Sequence, residues 1–79
     1  MTPEITINVA SVPDRDNVVV ELWCGDLQLG ELSCEAAGLR IEIYPDPSGK
    51  PWRFAFEELE KALEQAKSRL ADVTGAVFR

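Results

Sequence analysis

Leu39-Arg40-Ile41-Glu42-Ile43-Tyr44, then Pro45-Asp46-Pro47-Ser48-Gly49-Lys50-Pro51, then Phe56, Leu59, Leu63, Ala66, Leu70 and Val73: across this stretch the hydrophobic period changes. In the first segment apolar and polar residues alternate, which predicts a half-buried strand over 39–44. Three prolines and a glycine then stop any ladder, so residues 45–51 form a loop. In the last segment the apolar positions step by three and four residues and fall on one helix stripe, widened by Ala62. The spacing predicts a helix over 56–73, a rod of about 27 Å at 1.5 Å per residue. Its solvated face carries Glu57, Glu58, Glu60, Lys61, Glu64, Lys67 and Arg69, with Glu57 and Lys61 placed as a favourable i,i+4 pair. Ala55 is a poor N-cap, but Phe54 and Leu59 have the spacing of a hydrophobic staple, and Gly75 supplies a C-terminal stop.

Upstream of this stretch the period is two throughout. Ile5, Ile7 and Val9 alternate with Thr6 and Asn8, predicting a strand over 4–10. Ser11-Val12-Pro13-Asp14-Arg15-Asp16-Asn17 reads as a polar turn, and residues 17–24 as a second, well-buried strand. Gly25-Asp26 is a two-residue hairpin loop that leads into a strand over 27–34. With that loop, Cys24 faces Leu27, Leu22 faces Leu29 and Val20 faces Glu31, which puts a carboxylate on the core side. Leu32 and Cys34 look like core residues of the opposite parity, so one extra residue is required. The glycine inside the strand locates it, and a β-bulge is expected at Gly30-Glu31. Glu35-Ala36-Ala37-Gly38 is the next turn.

Strand, strand, strand, strand, helix with short connections specifies an α+β two-layer sandwich. A four-stranded antiparallel meander is followed by one C-terminal helix packed on one face. The 79 residues make a single small domain, residues 1–79.

Composition narrows the function. The chain contains no histidine, which removes the commonest general base and metal ligand, and no nucleophile, base or metal set converges. An enzyme is not expected, nor is a cofactor. The net charge is −6, and residues 1–49 hold only Arg15 and Arg40 against nine of the 14 acidic side chains. Such a balance disfavours nucleic acid and anionic membrane surfaces as partners. Met1-Thr2-Pro3-Glu4 shows no basic leader before an apolar run, and no run approaches the ~20 residues that span a bilayer. A cytoplasmic location follows as the expectation, with Cys24 and Cys34 as free thiols. The hairpin holds those cysteines at opposite ends of a strand, roughly 20 Å apart at ~3.3 Å per residue, too far for a disulfide. Ser48-Gly49-Lys50 lacks the rest of a phosphate loop, and Asp14-Arg15-Asp16-Asn17 lacks the later ligands of a calcium loop.

The face of the sheet turned away from the helix carries Thr6, Asn8, Val19, Glu21, Trp23, Gln28, Arg40, Glu42 and Tyr44. Val19, Trp23 and Tyr44 interrupt its polarity and are the candidate interface, either for a symmetric homodimer or for another protein. The competing reading packs Trp23 under the Pro-rich loop near Tyr44. A second functional class is a small-ligand site at the sandwich end, near Tyr44, Trp52 and Arg53. An acidic, immunity-like inhibitor of a basic partner is a special case of the first class.

Ile41-Glu42-Ile43-Tyr44-Pro45, Gly49-Lys50-Pro51-Trp52-Arg53-Phe54, Glu58-Leu59, Leu63, Ala66-Lys67 and Leu70 resemble small bacterial proteins of unassigned function. Their distinctive element is Tyr-Pro…Gly-x-Pro-Trp-x-Phe. The resemblance implies a strand–loop–helix unit and a bacterial source, and it implies no functional residue.

Overall fold

A computed structural model describes residues 4–11 and 18–75. Strands β1 (Ile5–Ser11), β2 (Val18–Cys24), β3 (Leu27–Glu35) and β4 (Gly38–Ile43) form one sheet in the order β1-β2-β3-β4. Every neighbouring pair is antiparallel, and helix α1 (Phe56–Thr74) follows. This is the expected meander with one helix laid on it. The Asp14-Arg15-Asp16-Asn17 segment and the ends of the chain lie outside the described residues.

The β2–β3 hairpin closes at Cys24↔Leu27 around Gly25-Asp26, and Gly25 takes the positive φ of 62° that a glycine accepts without strain. Trp23 pairs with Gln28 but Leu22 pairs with Gly30, so Leu29 is the extra residue. The bulge thus falls one position before the expected Gly30-Glu31. It lets Leu29 and Leu32 both reach the core: Leu29 packs with Ile5, Leu22 and Ala62, and Leu32 with Val20, Ala66 and Leu70. A strict alternation would have sent one of the two leucines to solvent. Gly30 is also where β3 and β4 come closest. A Cβ there would overlap the Glu42 carbonyl oxygen and lie 3.1 Å from its carbon and 3.2 Å from the Ile43 Cα.

The sheet's helix side is built in rows. Val9, Val20, Leu32 and Ile41 form one row across the four strands, and Ile7, Leu22, Gly30 and Ile43 form the next. Val20, Leu22, Leu29 and Leu70 are fully buried, each worth roughly 1.5–3 kcal/mol of transfer free energy. Helix α1 lies over β1, β2 and β3, and β4 reaches the cluster beneath it only through Leu39.

The helix seats differently from the predicted stripe. Its buried line is Ala62, Ala66 and Leu70, while Leu59 and Leu63 are half-buried on the flank. Phe56, at 71% exposure, and Val73 stand outside the contact. Two alanines facing the sheet bring the helix axis close to it, and a rod so seated cannot also press its flanks down. Gly75 ends the helix as expected, in the left-handed conformation at φ 73°, with its N–H donated to the Ala71 carbonyl at 2.8 Å. At the start Ala55 offers no side-chain cap, and Phe54 and Leu59 pack on the same core cluster.

Candidate functional site

The sheet's open face is built around a row of carboxylates. Glu21 pairs with Glu31 and Glu31 with Glu42, so three acidic side chains stand directly opposite one another on adjacent strands, with Asn8 next to Glu21 on β1. Like charges at such positions repel. Glu21 is offset by two local donors: Asn8 Nδ2 donates to Glu21 Oε1 at 3.1 Å and Trp23 Nε1 donates to the same oxygen at 3.2 Å. The Tyr44 phenol stands near the Glu31 and Glu42 carboxylates, and its pKa rises above the ordinary 10.0. Burial is the main cause, and the charges of Glu31 and then Glu42 add to it.

This arrangement redistributes the expected patch. Val19 is not exposed: it is 1% accessible, in an interior strand opposite Ala10 of β1. Trp23 and Tyr44 are half-buried, Trp23 donating to Glu21 and the Tyr44 phenol lying near Glu31 and Glu42. They belong to the acidic row more than to an apolar surface. Glu31 was not among the open-face residues expected from sequence. The bulge at Leu29 carries it there, and following the bulge through to the next residue would have found it.

The exposed apolar surface lies elsewhere. Because α1 stops short of β4, Ile41 and Ile43 on the helix side of that strand are 44% and 53% accessible. β4 is also an outer strand, with β3 on one side only. A groove of about 560 Å³ runs along it, lined by Glu31, Arg40 and Glu42 and by the two isoleucines among others. Arg40 makes one ion pair, with Glu35 at 3.4 Å, and both side chains are well exposed. Exposed pairs of this kind contribute little. Alternation places Leu39, Ile41 and Ile43 on the helix side, and it carries no information on how far the helix reaches.

The sandwich end assigned to a small ligand is partly assembled. Trp52 stacks on Phe54 with ring centroids 5.8 Å apart, and Trp52 Nε1 donates to the Tyr44 carbonyl at 2.9 Å. Trp52, Arg53 and Phe54 line a shallow recess of about 320 Å³ with Leu27 and Lys50. Tyr44 reaches this end only through its backbone, since its phenol lies on the open face with Glu31 and Glu42. The three residues therefore do not converge on one cavity. Asp46 Oδ1 accepts the Ser48 N–H at 2.9 Å, an ordinary Asx turn at Ser48-Gly49-Lys50.

Neither cysteine is in a disulfide: Cys24 is buried beside the β2–β3 turn and Cys34 half-buried at the far end of β3. Among the described residues no group of three acidic or thiol side chains has the geometry to hold a metal ion, and no helix is long and apolar enough to cross a membrane. Neither protein-family models, nor curated proteins, nor solved structures yield a match to this chain.

Proposed function

We propose that this protein is a non-catalytic interaction module that self-associates through β4. One observation carries the reading: an outer strand bears two exposed isoleucines on its core side because the single helix does not extend over it. Natural sheets blunt such edges with prolines, bulges or many charges, since an unpaired ladder of N–H and C=O groups recruits another strand. β4 contains no proline, and its irregular partner is β3, not itself. Of the sequence candidates, Tyr44 flanks this surface at the end of β4, whereas Trp23 lies two strands away and Val19 is buried.

The test is the oligomeric state of the full chain by sedimentation across the micromolar range, beside Ile41→Pro. Proline is tolerated on an outer strand where its missing N–H faces outward, and it blocks a further strand from pairing there. The wild type is expected to dimerise and the variant to remain a folded monomer. A wild type that is monomeric throughout refutes self-association. The acidic row Glu21, Glu31 and Glu42 supports a second reading, an inhibitor of a basic protein. In that case binding falls when those glutamates become glutamines and is indifferent to Ile41→Pro.

A further inference from the structure

We propose that two copies join edge to edge through antiparallel β4 strands in one register, with Ile41 opposite Ile41 of the partner subunit and Arg40 opposite Glu42 of the partner subunit. The inference rests on the reading of β4 as the self-associating edge and goes on to name the occupant and its alignment.

The backbone supplies the first constraint. Tyr44 donates its N–H inward to the Leu29 carbonyl at 2.8 Å. In an antiparallel ladder residues alternate between facing one neighbour and the other, so Glu42 and Arg40 also face β3. Leu39, Ile41 and Ile43 therefore turn their N–H and C=O groups to the open edge. Pro45 is next in this outward series and has no N–H to give, and Ala37 at the other end lies in the β3–β4 turn. The pairable stretch is thus 39–43, and its midpoint is Ile41. A twofold axis there forms three bonded pairs, on the order of six hydrogen bonds.

Side chains choose among the registers that remain. Only alignments pairing outward residues with outward residues can form bonds, and those that make more than one bonded pair within 39–43 are centred on residue 40, 41 or 42. Centring on Arg40 sets guanidinium against guanidinium, and centring on Glu42 sets carboxylate against carboxylate. Centring on Ile41 sets Arg40 against the partner's Glu42 twice over, by symmetry. The same register aligns Leu39 with the partner's Ile43 on the helix side, where neither isoleucine of a single chain has a cover. The sequence from 39 to 43 is apolar, basic, apolar, acidic, apolar, which is complementary to its own reversal.

Charge favours the same answer. The row Glu21, Glu31, Glu42 ends at β4 with no cation beyond it among the described residues. The partner's Arg40 arrives at the end of that row, and Arg40 leaves only an exposed pair with Glu35 to do so. Two chains of charge −6 repel at long range, but ionic screening over about 8 Å leaves close pairs to decide.

The experiment uses Arg40→Glu and Glu42→Arg, each made alone in the full chain. Both sites are exposed, so the circular dichroism spectrum should match the wild type and the melting midpoint should fall only by what the lost dimer contact contributed. Each variant alone sets like charges opposite at both symmetry-related positions, which should raise the dimer dissociation constant on the order of a hundredfold. Mixed in equal amounts, the two variants restore opposite charges at both positions, and a heterodimer should form with the affinity of the wild type. A wild-type dimer broken by Ile41→Pro, whose charge variants either still self-associate or fail to recombine, overturns the register and leaves β4 self-association standing. A monomeric wild type overturns both.

Discussion

Replacing Gly30 by alanine tests the arrangement of β3 and β4 with one methyl group. The added carbon would overlap the Glu42 carbonyl oxygen and stand 3.1 Å from the Glu42 carbonyl carbon and 3.2 Å from the Ile43 Cα. All three atoms are backbone of the adjacent strand, so no side chain can swing away. Either the strands separate, losing the Tyr44 to Leu29 hydrogen bond and its neighbours, or the bulge at Leu29 is expelled. Expelling the bulge would bring Leu29 out of the cluster it forms with Ile5, Leu22 and Ala62. Overpacking costs about 1–3 kcal/mol on its own, and the lost ladder bonds about 1 kcal/mol each. A total near ~3 kcal/mol should lower the melting midpoint by about 12–24 °C, at 4–8 °C per kcal/mol for a domain of this size. Thermal and urea unfolding followed by circular dichroism measure it. Hydrogen exchange should show protection lost first at the amides of β4. A variant within about 0.5 kcal/mol of the wild type, with β4 amides as protected as before, would refute both the close approach and the bulge that produces it.

Other outcomes follow from the same structure. Leu70→Ala and Leu22→Ala should each cost about 2–5 kcal/mol, whereas Lys61→Ala on the exposed side of α1 should stay within about 0.5 kcal/mol; equal urea midpoints would place the helix face wrongly. Tyr44 is the only tyrosine, so its ultraviolet titration is unambiguous. The midpoint should lie above 10.0, and Glu31→Gln should bring it part of the way down, the burial contribution remaining. A phenol whose pKa is raised by folding contributes stability below its unfolded pKa and loses it as pH rises through the folded one, so the loss belongs to the alkaline limb. With neither cysteine in a disulfide, denaturation without reductant should expose two reactive groups per chain, and Cys34 should react ahead of buried Cys24 in the native protein; an intact monomer mass two hydrogens light would contradict the hairpin.

Much of this fold is written in local pattern. The alternation from Leu39 to Tyr44 and the helical stripe from Phe56 to Val73 depend on neighbouring residues alone, and the structure places them within a residue of the expected limits. The bulge is legible to within one residue because Leu29 and Leu32, both core residues, cannot share one parity. What escaped depends on widths rather than periods. Four strands at about 4.8 Å spacing span ~14 Å between outer axes, while one helix is about 10–12 Å across with its side chains. That comparison foretells an uncovered strand, yet it leaves open which one. The answer lies in Ala62 and Ala66, which seat α1 on β1 and β2 with only the near side of β3 beneath it. Val19 escaped for a related reason, since alternation assigns a side chain to a face and says nothing of what else lies on that face.

The order of the elements has a consequence on the ribosome. The four described strands are made before α1, whose 19 residues take about 1–4 s to add at 5–20 residues per second. Hairpins form in about 1–10 μs, so the meander can pair and open a great many times before its cover exists. Until α1 docks, the side of the sheet that carries Val20, Leu22, Leu29 and Leu32, all buried in the finished protein, lacks its cover. The last apolar residue of α1 that the core needs is Leu70, so a helix that frays short of it leaves Val20 and Leu32 without their cover.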